Sequence, residues 1–111
     1  METSKTAAVI VGAGSSSRMG ENKIFINLLH KPTLAWTVGV FEKFEPVSKI
    51  IIVLQKCDVN SGYELGQQEG WNKVLQICEG GPRRQDSVKN GLDLVGDDYG
   101  TVMIHDAARR V

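Results

Sequence analysis

The chain has 111 residues, 41% of them apolar and 23% charged, with 13 basic residues matched by 13 acidic ones. A neutral chain of this size is one domain at most, with no global field to draw it to a nucleic-acid backbone or an anionic membrane. Its apolar runs reach about five residues where a bilayer span needs about 20, and METSKT opens the chain without a signal-peptide hydrophobic core, so a cytoplasmic protein is expected.

Residues 7–11 (AAVIV) form the first continuous apolar run, which suits a buried parallel strand. It leads directly into Gly12-Ala13-Gly14-Ser15-Ser16-Ser17, with Arg18 and Lys23 following. A flexible, amide-rich loop with two cations behind it fits an anionic ligand. A P-loop would need Gly-Lys-Ser/Thr where Ser17-Arg18 stands, and a dinucleotide fingerprint would need a glycine in place of Ser17. Taken alone, the loop fits a tight strand-to-helix turn as well as a phosphate site.

Residues 33–44 place Leu34, Val38 and Phe41 on one helical face, behind Pro32 and with Thr33 as a cap. Residues 50–54 (IIIVL) give a second buried strand. Residues 58–71 are ambiguous, because Gly62, Gly66 and Gly70 weaken a helix there. Residues 74–78 (VLQIC) are a weaker strand, and residues 87–95 a helix with Val88, Leu92 and Val95 on one face and Asp86 or Ser87 near its start. Residues 101–104 (TVMI) are the last strand. Cys57 and Cys78 belong to no CxxC pair and are read as packed or half-exposed reduced thiols. Strand alternating with helix is the grammar of an α/β domain with a parallel sheet.

In such sheets ligands bind outside the carboxyl ends of the strands. Arg18 and Lys23 follow the first strand, Gly80, Gly81, Arg83 and Arg84 the third, and His105, Asp106 and Arg109 the last. Three polar clusters therefore share one rim, as a single anionic pocket requires.

GAGSSSRMGENK, GGPRRQDSV and IHDAARR together resemble the three signatures of the 2-C-methyl-D-erythritol 4-phosphate cytidylyltransferase family, in the same order, across residues 7–111. The resemblance implies a three-layer, Rossmann-like nucleotidyltransferase fold with a mainly parallel sheet of order 3-2-1-4, represented here by about four strands in a single partial domain, residues 1–111. It implies transfer of CMP from CTP to methylerythritol phosphate with release of pyrophosphate, in the cytoplasm or, in a plant, the plastid stroma. Arg18 and Lys23 match the catalytic cations. The backbone of Gly12, Ala13, Gly14, Ser15 and Ser16 matches the lining of triphosphate and base. Gly81, Arg84 and Ser87 match the nucleoside loop, and Ser87 also suits a helix start. Asp106 matches the aspartate that binds Mg²⁺ and nucleotide, and Arg109 an arginine near the substrate phosphate or pocket wall. His105 is read as a structural hydrogen-bonding residue, and Arg83 as a solvated charge.

The chain departs from the family pattern at Gly12 (usually Ala), at Arg110 (usually Pro) and in the tighter spacing of Arg18 and Lys23. Family members are about twice as long. By the resemblance, the remaining strands, the dimerisation arm, most acceptor-binding residues and a further lysine would lie in the second half, leaving residues 101–104 at an exposed edge. A homodimer is expected of the complete enzyme. Two alternatives stand beside this reading: a non-catalytic fragment that holds CTP weakly or not at all, and a cytidylyltransferase acting on ribitol 5-phosphate.

Overall fold

A computed structural model describes residues 5–13 and 25–107. Strand β1 (Lys5–Gly12) is followed by a small hairpin, β2 (Asn27–Leu28) and β3 (Lys31–Pro32), then helix α1 (Thr33–Lys43) and strand β4 (Val47–Leu54). A 3-10 turn at Lys56–Asp58 leads into α2 (Val59–Glu69), β5 (Val74–Glu79), α3 (Arg84–Val95) and β6 (Tyr99–Asp106). The main sheet runs β5-β4-β1-β6 with every pairing parallel. Counting only its members, that is the order 3-2-1-4 implied by the resemblance.

The continuous apolar runs are explained by burial on both faces of the sheet. Ala8 and Ile10 of β1 join Ile50, Ile52 and Leu54 of β4 beneath Leu34, Ala35, Val38 and Phe41 of α1 and Leu65 of α2. Ala7, Val9 and Val11 join Ile51 and Val53 on the opposite face, where α3 brings Val95, with Val88 and Leu94 partly buried. The period-2 alternation of strand side chains thus divides one apolar run between two cores, and the architecture has three layers. Each fully buried aliphatic side chain of this kind contributes about 1.5–3 kcal/mol.

Several local expectations change. The β2–β3 hairpin had no sequence signal, since its turn residues Leu29 and His30 adopt φ of 52° and 79° where Asn-Gly is the usual choice. Thr33 is the first residue of α1 rather than its cap, and it donates from both N–H and Oγ1 to the Ile26 carbonyl at 3.0 Å. The ambiguous segment is helical. Gly62 lies against Leu54 and Ile77 and Gly66 against Trp71, so both serve close packing, while Gly70 closes α2 at φ 69°. Helix α3 begins at Arg84, and its buried row is Ser87, Gly91 and Val95; Leu92 is exposed.

The two margins of the sheet differ. The Tyr63 hydroxyl accepts from the Ile77 N–H at 3.1 Å and donates to the Ile77 carbonyl at 3.2 Å, and the Asn90 amide donates to the Glu79 carbonyl at 3.2 Å. The Ile77 N–H and carbonyl and the Glu79 carbonyl of β5 are therefore satisfied by side chains from α2 and α3. On β6, Met103 and Ile104 face solvent, as expected for an edge strand.

Candidate functional site

The strand order reverses at β1: the chain proceeds from β1 outward to β4 and β5, then crosses back to β6 on the other side. Such a switch point opens a crevice at the carboxyl ends of the two strands that flank it. Those ends are level here, with Val11 paired to Asp106 and Gly12 to Leu54. The ladder then continues past the strands, as Gly80 N–H donates to the Leu54 carbonyl at 2.8 Å and Ala107 N–H to the Val11 carbonyl at 2.9 Å. Ala13, Gly80, Gly81, Arg84 and Asp106 emerge along this line.

The residue that follows β1, Ala13, touches the second cluster. A β-carbon built on Gly80 would stand 2.4 Å from the Ala13 Cβ and 2.4 Å from the Ser87 Oγ, so glycine is what lets the Ala13 and Ser87 side chains close on the backbone here. Ser87 is almost fully buried, and its Oγ accepts the Gly81 N–H at 3.1 Å. It sits one turn inside α3, so its role is to pin the Gly80–Gly81 loop onto the helix rather than to cap it. The N-cap is Arg83. The Asp86 carboxylate reaches back to accept the Arg83 N–H at 3.2 Å and the Arg83 Nε at 3.2 Å. Those hydrogen bonds hold the Asp86 carboxyl below its ordinary range. Arg83, read as a solvated charge, is exposed and spends its charge on this local pair.

The second and third clusters also touch. Arg84 Nη2 donates to Asp106 Oδ1 at 2.8 Å, with both side chains about half exposed. The backbone beneath Asp106 is fixed by two contacts. The buried Thr37 hydroxyl of α1 donates to the Ala107 carbonyl at 2.8 Å, and the His105 Nδ1 lies 2.8 Å from the Asp106 carbonyl. The His105 ring packs edge-on against Phe41 at 5.4 Å, in keeping with a structural histidine. Thr37 has no polar neighbour in sequence to mark it, and it was missed. Gly80 was seen in its cluster without its role as the contact point of two loops.

Of the residues singled out in the sequence, Gly12, Ala13, Gly81, Arg84, Ser87 and Asp106 lie along this one rim. Gly14, Ser15, Ser16, Arg18, Lys23 and Arg109 lie outside the described residues. Both cysteines are unpaired thiols, Cys57 exposed and Cys78 half-buried. Burial, aided by Glu79, pushes the Cys78 thiol up, which disfavours the nucleophilic thiolate.

Among the described residues no three His, Cys, Asp or Glu side chains converge as a metal cage. One half-exposed carboxylate at the rim, Asp106, is nevertheless the donor set that suits magnesium carried by a polyphosphate, where phosphates and water supply the other oxygens. The residues present fit that mode of binding.

Residues 6–111 match the family of 2-C-methyl-D-erythritol 4-phosphate cytidylyltransferase (IspD). The protein of that name from Dehalococcoides mccartyi (strain CBDB1) is 44% identical over 106 residues, which cover 95% of this chain and 46% of the relative. The one from Alkaliphilus oremlandii (strain OhILAs) is 42% identical over 109 residues, covering 96% of this chain and 46% of the relative. The chain thus spans about half the length of the curated relatives it matches. The crystal structure of 4-diphosphocytidyl-2C-methyl-D-erythritol synthase from Anaerococcus prevotii DSM 20548 has a TM-score of 0.81 at 21% identity, with 96% of this chain and 44% of that chain covered, and shares the fold. No helix among the described residues is long and apolar enough to cross a membrane.

Proposed function

The chain belongs to the 2-C-methyl-D-erythritol 4-phosphate cytidylyltransferase family, and from that premise we propose that it carries the nucleotide side of a site that transfers CMP from CTP to 2-C-methyl-D-erythritol 4-phosphate, releasing pyrophosphate. The observation that supports this reading is the meeting of three sequence-distant strand ends at the β1/β6 switch point, through Gly80 against Ala13 and Arg84 against Asp106.

In this reading the acceptor's phosphate oxygen attacks the α-phosphorus of CTP, and the bond to pyrophosphate breaks. The nucleophile is already ionised near neutral pH, so no general base is required. Negative charge gathers on the α-phosphate oxygens, and Arg18 and Lys23 stabilise it as fixed cations. The backbone of residues 12–16 lines the triphosphate and base, and the glycine loop at Gly80–Gly81 brings amide groups to the pyrimidine edge. Arg84 and Ser87 face the nucleotide, with Arg109 near the substrate phosphate or the pocket wall. Asp106 would hold magnesium, which when bound neutralises triphosphate charge. The complete enzyme would be a homodimer acting on small molecules in the cytoplasm.

The test is pyrophosphate release from CTP with methylerythritol phosphate or ribitol 5-phosphate, for this chain and for one extended to its relatives' length. Turnover with ribitol 5-phosphate alone would replace the acceptor. CTP binding without turnover in both proteins would reduce the function to nucleotide holding.

A further inference from the structure

Two adjacent arginines, Arg83 and Arg84, make two different pairs. Arg83 closes a local pair with Asp86, three residues on, at the start of α3. Arg84 instead crosses from α3 to the end of β6 and meets Asp106, a residue fixed by contacts unrelated to Arg84. At 57% and 48% side-chain exposure, the Arg84–Asp106 pair is open to exchange with ligands from solvent. A buried pair of this kind would be costly to open; an exposed one is not. A guanidinium also has a better partner than one carboxylate oxygen, because its planar fork takes two phosphate oxygens at once.

We propose that Arg84 is a positioning residue whose ion pair excludes free divalent cations from Asp106 and opens when a polyphosphate offers the guanidinium new oxygens, so that cation and nucleotide bind as a linked pair. This rests on the nucleotide reading above and adds to it an order of events. In the empty site Arg84 supplies the counter-charge that Asp106 needs. With a nucleotide present, the guanidinium moves to phosphate and leaves the carboxylate to the cation. Arg83 takes no part, because its charge is committed to Asp86.

The test titrates Mn²⁺ into the chain with and without CTP, following free Mn²⁺ by electron paramagnetic resonance, with circular dichroism as the check on folding. Arg84→Gln should bind Mn²⁺ alone roughly two- to fivefold more tightly than the parent, the range an exposed ion pair exerts, and CTP should enhance Mn²⁺ binding less by a similar factor. Arg84→Lys, which keeps the charge and loses the fork, should fall between. Asp106→Asn should abolish the gain when combined with Arg84→Gln. Arg83→Gln removes the same charge next door and should leave Mn²⁺ affinity unchanged. Equal or weaker Mn²⁺ binding by Arg84→Gln, or an equal gain from Arg83→Gln, overturns the proposal. Should Arg84→Gln tighten Mn²⁺ binding while CTP binds none of the proteins, the shielding of Asp106 by Arg84 stands, and the nucleotide reading falls together with the linkage.

Discussion

Gly91 of α3 lies so close to Val9 of β1 that a β-carbon placed on it would be 2.5 Å from the valine Cγ1 and 3.0 Å from the Cγ2 of Val53. The whole of α3 therefore sits at a distance from the sheet set by one missing side chain, and with it Ser87 and Arg84 at the rim. Alanine gains about 1 kcal/mol over glycine as a helix former. Overpacking against two branched side chains, each stiff at χ1, costs about 1–3 kcal/mol. The second effect should win, so Gly91→Ala is expected to destabilise by up to about 2 kcal/mol in urea unfolding. Gly62→Ala meets only the flexible ends of Leu54 and Ile77 and should cost less.

Gly80→Ala tests the junction itself. The added methyl would collide with Ala13 and with the Ser87 oxygen. Displacing either moves two loops of the rim at once, with little of the core disturbed. Nucleotide affinity is expected to fall about tenfold or more, about 1.4 kcal/mol, in calorimetric titration with CTP, while the unfolding midpoint changes less than for Gly91→Ala.

Thr37→Val keeps the shape of a buried side chain and removes the donor to the Ala107 carbonyl. A buried carbonyl left without its partner costs about 1–3 kcal/mol. The same change loosens the backbone beneath Asp106, so CTP affinity should drop along with stability. A loss of stability with unchanged affinity would show that the strand end does not need this anchor.

Protonation of Asp86 should unfasten the start of α3. Its folded-state pKa is lowered, chiefly by the hydrogen bond from the Arg83 side chain. The stabilisation is then fully present above the ordinary carboxylate range and is lost as pH falls through the depressed folded value. Unfolding midpoints should decline over that acidic window in the parent chain. Asp86→Asn should be less stable at neutral pH and flatter across the window; curves that stay parallel would remove Asp86 as the cause.

Arg18→Ala addresses the chemistry directly. Loss of one fixed donor to developing transition-state charge costs about 10²–10³ in kcat. In the chain extended to its relatives' length, pyrophosphate release should fall by about that factor with the circular dichroism spectrum retained. Activity within about twofold of the parent would remove Arg18 from the catalytic role.

The sequence revealed features governed by burial and by strand ends, and concealed those governed by close approach. Residues 7–11 and 50–54 read as parallel strands because both their faces are covered, which leaves an unbroken apolar run. The rim was legible because polar residues followed each strand. In α2 and α3, Gly62, Gly66 and Gly91 make the tight contacts, yet glycine in a sequence reads as a helix breaker. The row Ser87–Gly91–Val95 is buried without being hydrophobic at two of its three positions, so the periodicity pointed to Leu92 instead. Arg84 and Asp106 were each singled out, but no local pattern links residues 22 apart; only the crossing of the chain from β5 to β6 does so.

The side chains of Tyr63 and Asn90 give the sheet a finished hem along β5. A polypeptide adding to this sheet, whether a continuation of the same fold or an unwanted copy, meets occupied hydrogen-bonding groups on that flank and apolar side chains on the other. Asp106 ends the strand on that other flank. Extending the sheet and walling in the Asp106 carboxylate are therefore a single geometric event, and whatever joins β6 also becomes a neighbour of the Arg84–Asp106 pair.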